Sequence, residues 1–332
     1  MARIGVLGAT SWGMTLAWLL DQASAAGGAA SVTVLCRTQA EVQRLRHERS
    51  LPRLPEVRLR DAIAVEVAGA PGPLDGVVAA VPAQALRGSL AGLAVPRDIP
   101  ILNAAKGIEL VTGLRLSQVI EAAGWRPEDI AVVSGPNLAH EVARGLPAAA
   151  VVASTALSTA ERWQHLLAGP TFRVYRSADV TGVELGGAAK NVIAIAAGAA
   201  IGLGFGANTV AALMTRGLAE MTRLAVALGA EPETLQGLAG LGDLAATCFS
   251  GLSRNHRLGE LLAQGFTPAA ALRTIGQAVE GAATAPALVK LANEAGVEAP
   301  ISAEVEAVLA GRKSVGEAMA SLLGRSLTVE SG

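Results

Sequence analysis

The stretch Arg3-Ile-Gly-Val-Leu-Gly8-Ala-Thr-Ser-Trp-Gly13 runs from an aliphatic strand pattern into a glycine turn and then into an apolar helical pattern. Strand, turn and helix in that order form the setting of the dinucleotide fingerprint. Gly8 permits the tight turn and Gly13 lets the helix lie close to the sheet. Free amides at the helix start are then able to bind a pyrophosphate. Thr10 replaces the usual middle glycine. Its side chain is expected to hold the pyrophosphate slightly away unless the hydroxyl itself donates to it.

Outward from this turn, β-branched runs alternate with amphipathic stretches as far as about residue 175, the mark of βαβ units and a largely parallel sheet. The spacing predicts strands at Ile4–Leu7, Val32–Leu35, Val77–Val81, Ile99–Asn103, Ile130–Val133, Ala148–Ala153 and Phe172–Tyr175. Helices are expected at Thr15–Ala23, Gln39–His47 and Leu114–Ala123, with a Pro/Gly-rich loop at Ala68–Pro73. Beyond about Val180 the strand signal stops. Helical patterns follow at Val183–Ala200, Thr209–Leu228, Arg257–Ala263, Glu280–Ala295 and Val315–Leu323. The predicted architecture is an α/β Rossmann-type dinucleotide-binding domain over 1–178 and an all-α substrate and catalytic domain over 179–332. A ligand cleft is expected between the two.

Composition narrows the partners. Hydrophobic residues make up 51% and charged residues 17%, which suits apolar burial, and aromatics are only 3%, which favours helices packed through small side chains. With 27 Lys+Arg against 28 Asp+Glu there is no basic field for a nucleic-acid backbone. A small phosphorylated molecule needs only a few placed cations. Cys36 and Cys248 lie far apart and read as reduced thiols. The N-terminal strand pattern lacks a basic leader and an apolar h-region, so a cytoplasmic protein is expected. Asn191 to Thr215 carries no charged side chain, yet its Ala/Gly content suits a buried helix better than a membrane span. His47, His140, His165 and His256 form no HxxxH or HExxH spacing, and no metal is expected.

Several residues bear on chemistry. The second strand ends Leu35-Cys36-Arg37-Thr38, with a base where NAD-specific enzymes carry an acid for the ribose 2′-OH. Arg37 suits a 2′-phosphate, although position alone equally describes a solvated loop arginine. NADP(H) is therefore the expected preference, with NAD(H) also accepted. Asn103-Ala-Ala-Lys-Gly-Ile-Glu109 puts Lys106 at the carboxyl edge of the sheet, and Ser134-Gly-Pro-Asn-Leu-Ala-His-Glu-Val142 repeats the strand–turn–helix pattern. In Glu184-Leu-Gly-Gly-Ala-Ala-Lys-Asn191, Lys190 stands among small apolar residues. An isolated helical lysine is usually solvated. Burial here disfavours its ammonium form and brings the pKa toward neutrality, which suits a general acid/base. Asp243 follows Gly240-Leu-Gly, where an N-cap is the simplest role, and Ser253-Arg-Asn255 falls on a turn before a helix pattern. Arg254 suits a bidentate phosphate clamp, with Asn255 adding a directed donor.

In this order the glycine turn with Trp12, Val81-Pro-Ala-Gln-Ala-Leu86, Lys106-Gly-Ile-Glu109, Ser134-Gly-Pro, Glu184–Asn191, Gly240–Asp243 and Ser253–Asn255 resemble the bacterial NAD(P)-dependent glycerol-3-phosphate dehydrogenase family, from Ile4 to about Leu323. The resemblance implies reversible hydride transfer between NAD(P)H and dihydroxyacetone phosphate, supplying glycerol 3-phosphate for glycerophospholipid synthesis, in a cytoplasmic homodimer. It implies Lys190 as the proton donor and acceptor, with Asp243 orienting it. Lys106, Gly135, Asn137, Lys190, Asp243, Ser253, Arg254 and Asn255 would surround the substrate. Gly8, Thr10, Ser11, Trp12, Gly13, Arg37, Lys106, Ala139, Arg254, Ala278 and Glu280 would line the cofactor site. Thr10 and Asn137 depart from the family pattern, which usually has Gly at the first and Ser or Thr at the second. The rival enzyme is another two-domain reductase of ketopantoate or 3-hydroxyisobutyrate type, which requires no Ser-Arg-Asn phosphate clamp. A non-catalytic dinucleotide-binding regulator, the rival from another class, has no use for Lys190, Asp243 and Arg254 together.

Overall fold

In a computed structural model, described for residues 1–25 and 30–326, the N-terminal part is one eight-stranded sheet of order β3-β2-β1-β4-β5-β6-β7-β8. The strands are β1 (Ala2–Leu7), β2 (Ala30–Cys36), β3 (Ala64–Val67), β4 (Gly76–Ala79), β5 (Ile101–Asn103), β6 (Ile130–Ser134), β7 (Ala148–Ala153) and β8 (Phe172–Ser177). Only the β6–β7 pairing is antiparallel. β3 escapes the sequence pattern because Ala64-Val-Glu-Val67 is short and lies on the sheet edge, where one pairing partner suffices. Helices α1 (Ser11–Ala25), α2 (Gln39–Glu48), α3 (Leu86–Ala91), α4 (Leu116–Ala122), α5 (Ala139–Ala143) and α6 (Leu157–Leu167) flank the sheet. Buried Trp163 of α6 and Phe172 of β8 fill one face, while Trp125 closes a second apolar layer with Leu86, Leu90 and Ile120.

The remaining helices are α7 (Val180–Gly202), α8 (Ala207–Ala227), α9 (Pro232–Gln236), α10 (Asp243–Phe249), α11 (Arg254–Ala263), α12 (Pro268–Ile275), α13 (Glu280–Glu294), α14 (Pro300–Leu309) and α15 (Val315–Leu323). α7 starts where Asp179 accepts the Gly182 amide at 2.7 Å, a side-chain N-cap. The uncharged run from Asn191 to Thr215 is not one helix, because it breaks between α7 and α8. Among the described residues, helix α7 alone is long and apolar enough to cross a membrane by length and composition, yet most of it is buried inside the protein.

Its small residues explain that burial. A Cβ on Gly198 would lie 1.9 Å from the carbonyl oxygen of His256, and one on Gly259 would lie 2.0 Å from that of Ile195. α7 and α11 therefore meet backbone to backbone, and side chains at these two positions would wedge them apart. The low aromatic content follows from this mode of packing.

α11 begins earlier than predicted. Ser253 is its N-cap, accepting the His256 amide at 3.2 Å, so Arg254 and Asn255 occupy the first helical turn and not a preceding loop. Helices α6, α9, α10, α12 and α14 were not legible as separate elements, several of them being short and opened by proline or glycine turns.

Candidate active site

The first cradle is the turn between β1 and α1. Gly8 has φ +109°, open to glycine alone at little cost, and a Cβ on Gly13 would stand 2.1 Å from the Gly8 carbonyl oxygen. Thr10 corrects the expectation placed on it. Its hydroxyl donates to the Ala80 carbonyl at 2.7 Å and accepts the Gly13 amide at 3.0 Å. The side chain is folded into the turn, so its proton is not available to a phosphate. The first-turn amides of Ser11 and Trp12 have no acceptor within the helix and remain for an anion. Trp12 packs on Phe172 with ring centroids 6.5 Å apart. Arg53, not singled out in the sequence, reaches over the turn and donates to the Ala9 carbonyl at 2.6 Å. No local motif marks it; it arrives by the loop after α2. The turn thus fits a dinucleotide pyrophosphate.

Arg37 follows β2 directly, and its side chain is 85% exposed. It turns back along α2 to Glu41 at 3.3 Å.

The second focus lies where the two domains meet. Lys106, in the loop after β5, donates to Asp243 Oδ2 at 2.6 Å and to the Gly135 carbonyl at 3.0 Å. Lys190, on α7, donates to Asp243 Oδ1 at 3.0 Å and to the Thr247 hydroxyl at 2.6 Å. Ser134 adds a 3.4 Å bond to Oδ2. Thr247, one turn after Asp243 on α10, is a site residue that sequence reading missed, since an (i, i+4) threonine is indistinguishable from a core residue. A π-turn, Leu238–Gly242, leads into Asp243.

The electrostatics follow from burial. Desolvation is the main reason the Lys190 pKa falls to about 8, with neighbouring Lys106 adding to it and Asp243 opposing. Burial alone would raise Asp243. The two ammonium groups nevertheless hold it below the ordinary carboxylate value. Each ammonium carries three N–H donors and spends two on protein, leaving one on each for a ligand oxygen.

Asn137 has both amide atoms buried without a partner, although it lies beside Gly135 at the domain junction. Asn255 is more committed than predicted. Its Oδ1 accepts the Gly281 amide at 2.9 Å and its Nδ2 donates to Asn191 at 2.8 Å, stapling α7, α11 and α13 and leaving one amide hydrogen for a ligand. Arg254 donates to the Ala278 carbonyl at 2.7 Å, and Glu280 accepts the Ala83 amide at 3.3 Å, with burial pushing its carboxyl pKa up. Ala139 opens α5, and its carbonyl accepts Thr15 of α1 at 3.4 Å.

One more contact fixes this geometry. Glu184 on α7 accepts the Ser117 amide at 2.7 Å, the Ser117 hydroxyl at 2.5 Å and Arg115 at 2.6 Å, so the helical domain caps α4 of the sheet domain.

A dinucleotide cradle at the sheet edge, facing a buried lysine from a helical domain, defines a two-domain NAD(P)-dependent oxidoreductase. The family model for the NAD-dependent glycerol-3-phosphate dehydrogenase N-terminus matches residues 3–160, and that for its C-terminus matches residues 179–320. The chain belongs to the glycerol-3-phosphate dehydrogenase family. It is 45% identical to the glycerol-3-phosphate dehydrogenase [NAD(P)+] of Corynebacterium diphtheriae, with 98% of both chains covered. It is 47% identical to that of Frankia casuarinae, over 98% of this chain and 97% of the other. The crystal structure of glycerol-3-phosphate dehydrogenase from Coxiella burnetii superposes with a TM-score of 0.89 at 34% identity, covering 98% of this chain and 99% of that one.

Proposed function

We propose that the chain interconverts dihydroxyacetone phosphate and sn-glycerol 3-phosphate with NAD(P)(H), with NADP(H) preferred, and so supplies glycerol 3-phosphate for glycerophospholipids. The observation that carries the proposal is the Lys106–Asp243–Lys190 array. It leaves one N–H on each lysine at a junction beside the cradle.

When bound, the nicotinamide supplies or accepts the hydride. Gly8, Ser11, Trp12, Gly13, Arg37, Ala139, Arg254, Ala278 and Glu280 would hold the cofactor, with Thr10 shaping the turn. Lys190, as ammonium, protonates the oxygen formed at C2 in the reductive direction and, as amine, removes that proton in the other. Asp243 keeps Lys190 aimed and balances its charge against that of Lys106. Lys106 offers its remaining N–H to the same substrate. Ser253, Arg254 and Asn255, in the first turn of α11, receive the phosphate where helix amides and a guanidinium converge. Holding that remote group fixes the carbonyl for reaction. Gly135 and the unpartnered amide of Asn137 complete the substrate wall.

The domain division at 178/179, between β8 and the cap of α7, is part of this proposal, as are a cytoplasmic location and a homodimer. Sedimentation velocity distinguishes the dimer from a monomer. The function is tested by NADPH oxidation against dihydroxyacetone phosphate, ketopantoate and unphosphorylated hydroxy-ketones. Turnover confined to the triose phosphate supports the proposal; preference for ketopantoate refutes it.

A further inference from the structure

At the C-terminal edge of β2 the sequence lacks the acid that commonly meets a ribose 2′-hydroxyl, and Arg37 stands there instead. The fold returns an acid to that place from a different element. Glu41, in the first turn of α2, accepts the Arg37 backbone amide at 3.0 Å on Oε2 and the Arg37 guanidinium at 3.3 Å on Oε1. Thr38 fixes this arrangement by capping α2, its hydroxyl accepting the Glu41 amide at 3.2 Å. The neighbouring β2 residue Leu35 takes the Gly8 amide at 3.0 Å, which sets the pair beside the dinucleotide cradle.

We infer that Glu41 is a specificity-determining residue that competes with the 2′-phosphate of NADP(H) for Arg37 and so limits discrimination between the two nicotinamide cofactors. The inference rests on the cofactor assignment above and deepens it. A 2′-phosphate needs the same donors, a backbone N–H and a guanidinium, that the Glu41 carboxylate now holds. Binding it means displacing one anion by another and leaving the displaced carboxylate nearby. A ribose 2′-hydroxyl carries no charge, and a carboxylate beside it is a usable acceptor. Glu41 thus works against NADP(H) while leaving NAD(H) unharmed, and Arg37 works the other way. The pair is solvent-facing, so screening keeps the effect moderate. For a phosphate group a few ångströms from one carboxylate in water, the repulsion corresponds to about a fivefold to tenfold change in affinity.

The test uses fragments and needs no turnover. Isothermal titration calorimetry at low salt measures adenosine 2′,5′-bisphosphate and 5′-AMP binding to wild type, Glu41→Gln, Arg37→Ala and the Arg37→Ala/Glu41→Gln double variant. Glu41→Gln is expected to tighten the bisphosphate by about fivefold to tenfold and leave 5′-AMP within about twofold. In the Arg37→Ala background the gain should shrink, because the contested guanidinium is gone. The kcat/KM ratio of NADPH to NADH should rise in step. If Glu41→Gln moves both fragments equally, or neither, Glu41 is only a helix-capping group and the inference is overturned. Absence of triose phosphate reduction would refute the proposed activity but leave the fragment result readable.

Discussion

Lys106 and Lys190 come from different domains and bind opposite oxygens of a single carboxylate, that of Asp243. The two cations would repel one another in a site this buried, and the shared anion makes their proximity tolerable. Lys190 is thus paired with a carboxylate and still easily deprotonated, because burial outweighs the pull of Asp243.

Replacing Lys190 by Ala removes the proposed proton donor without touching the glycine turn. We expect kcat to fall by about 10²–10⁴, with NADPH still bound by calorimetry. Lys190→Arg should restore charge but little activity, because a guanidinium does not give up its proton near neutrality. A Lys190→Ala enzyme within a few-fold of wild type would remove Lys190 from the mechanism.

The depressed pKa of Lys190, about 8, gives a direction to the pH profiles. In the proposed mechanism reduction of the carbonyl uses the ammonium, so its kcat should decline as pH rises through about 8. Oxidation uses the amine and should gain over the same interval. Stability carries the corresponding sign. Between about 8 and the ordinary lysine value of 10.5 the unfolded chain binds more protons at this site than the folded one, so this group makes stability rise with pH across that window. Stopped-flow rates and urea midpoints at matched pH check both.

Asp243→Asn keeps the shape of the carboxylate and deletes its charge. Two buried cations then lack a counter-ion, a defect that typically costs about 3–5 kcal/mol. The alkaline limb of the reductive profile should move to lower pH, since Asp243 is what raises Lys190 against desolvation. Urea unfolding and the pH dependence of kcat test the two parts separately.

The α7–α11 contact predicts unequal outcomes for the same chemical change. Gly198→Ala places a methyl 1.9 Å from a backbone oxygen and should destabilise by about 3 kcal/mol or more. Gly88→Ala, in α3, has nothing within 4 Å of its new methyl and should be neutral or stabilise by about 0.5–1 kcal/mol. Thermal denaturation of the two variants compares them directly. Equal loss in both would contradict the close approach of these helices.

The fold was legible wherever a segment carried its own period. Val315–Leu323 coincides with α15, and the glycine segment at residues 8–13 runs from the end of β1 into α1 as expected. Short elements were not legible, since four residues such as Ala64–Val67 carry too little pattern to stand out. At the site, Lys106, Lys190 and Asp243 were visible because charged residues amid glycine and alanine are conspicuous. Thr247 and Arg53 were not, because their placement depends on how distant segments pack. The Thr10 hydroxyl is engaged by Ala80 and the Asn255 oxygen by Gly281, hydrogen bonds which no local pattern reveals and which leave each side chain fewer free groups than its sequence suggests. The acid beside Arg37 was hidden for a related reason: it comes from the next helix and not from the strand end.

Helix α7 carries only two charged side chains, Glu184 and Lys190. One grips the start of α4 and the other pairs with Asp243, six residues or about 9 Å of helix apart. That segment works as a ruler. While Glu184 keeps its hold on Ser117 and Arg115, the height of the Lys190 amine above the sheet edge is set by a rigid rod and not by how the domains happen to lie. Any closing movement around a substrate then leaves the Lys190 amine where the rod has put it.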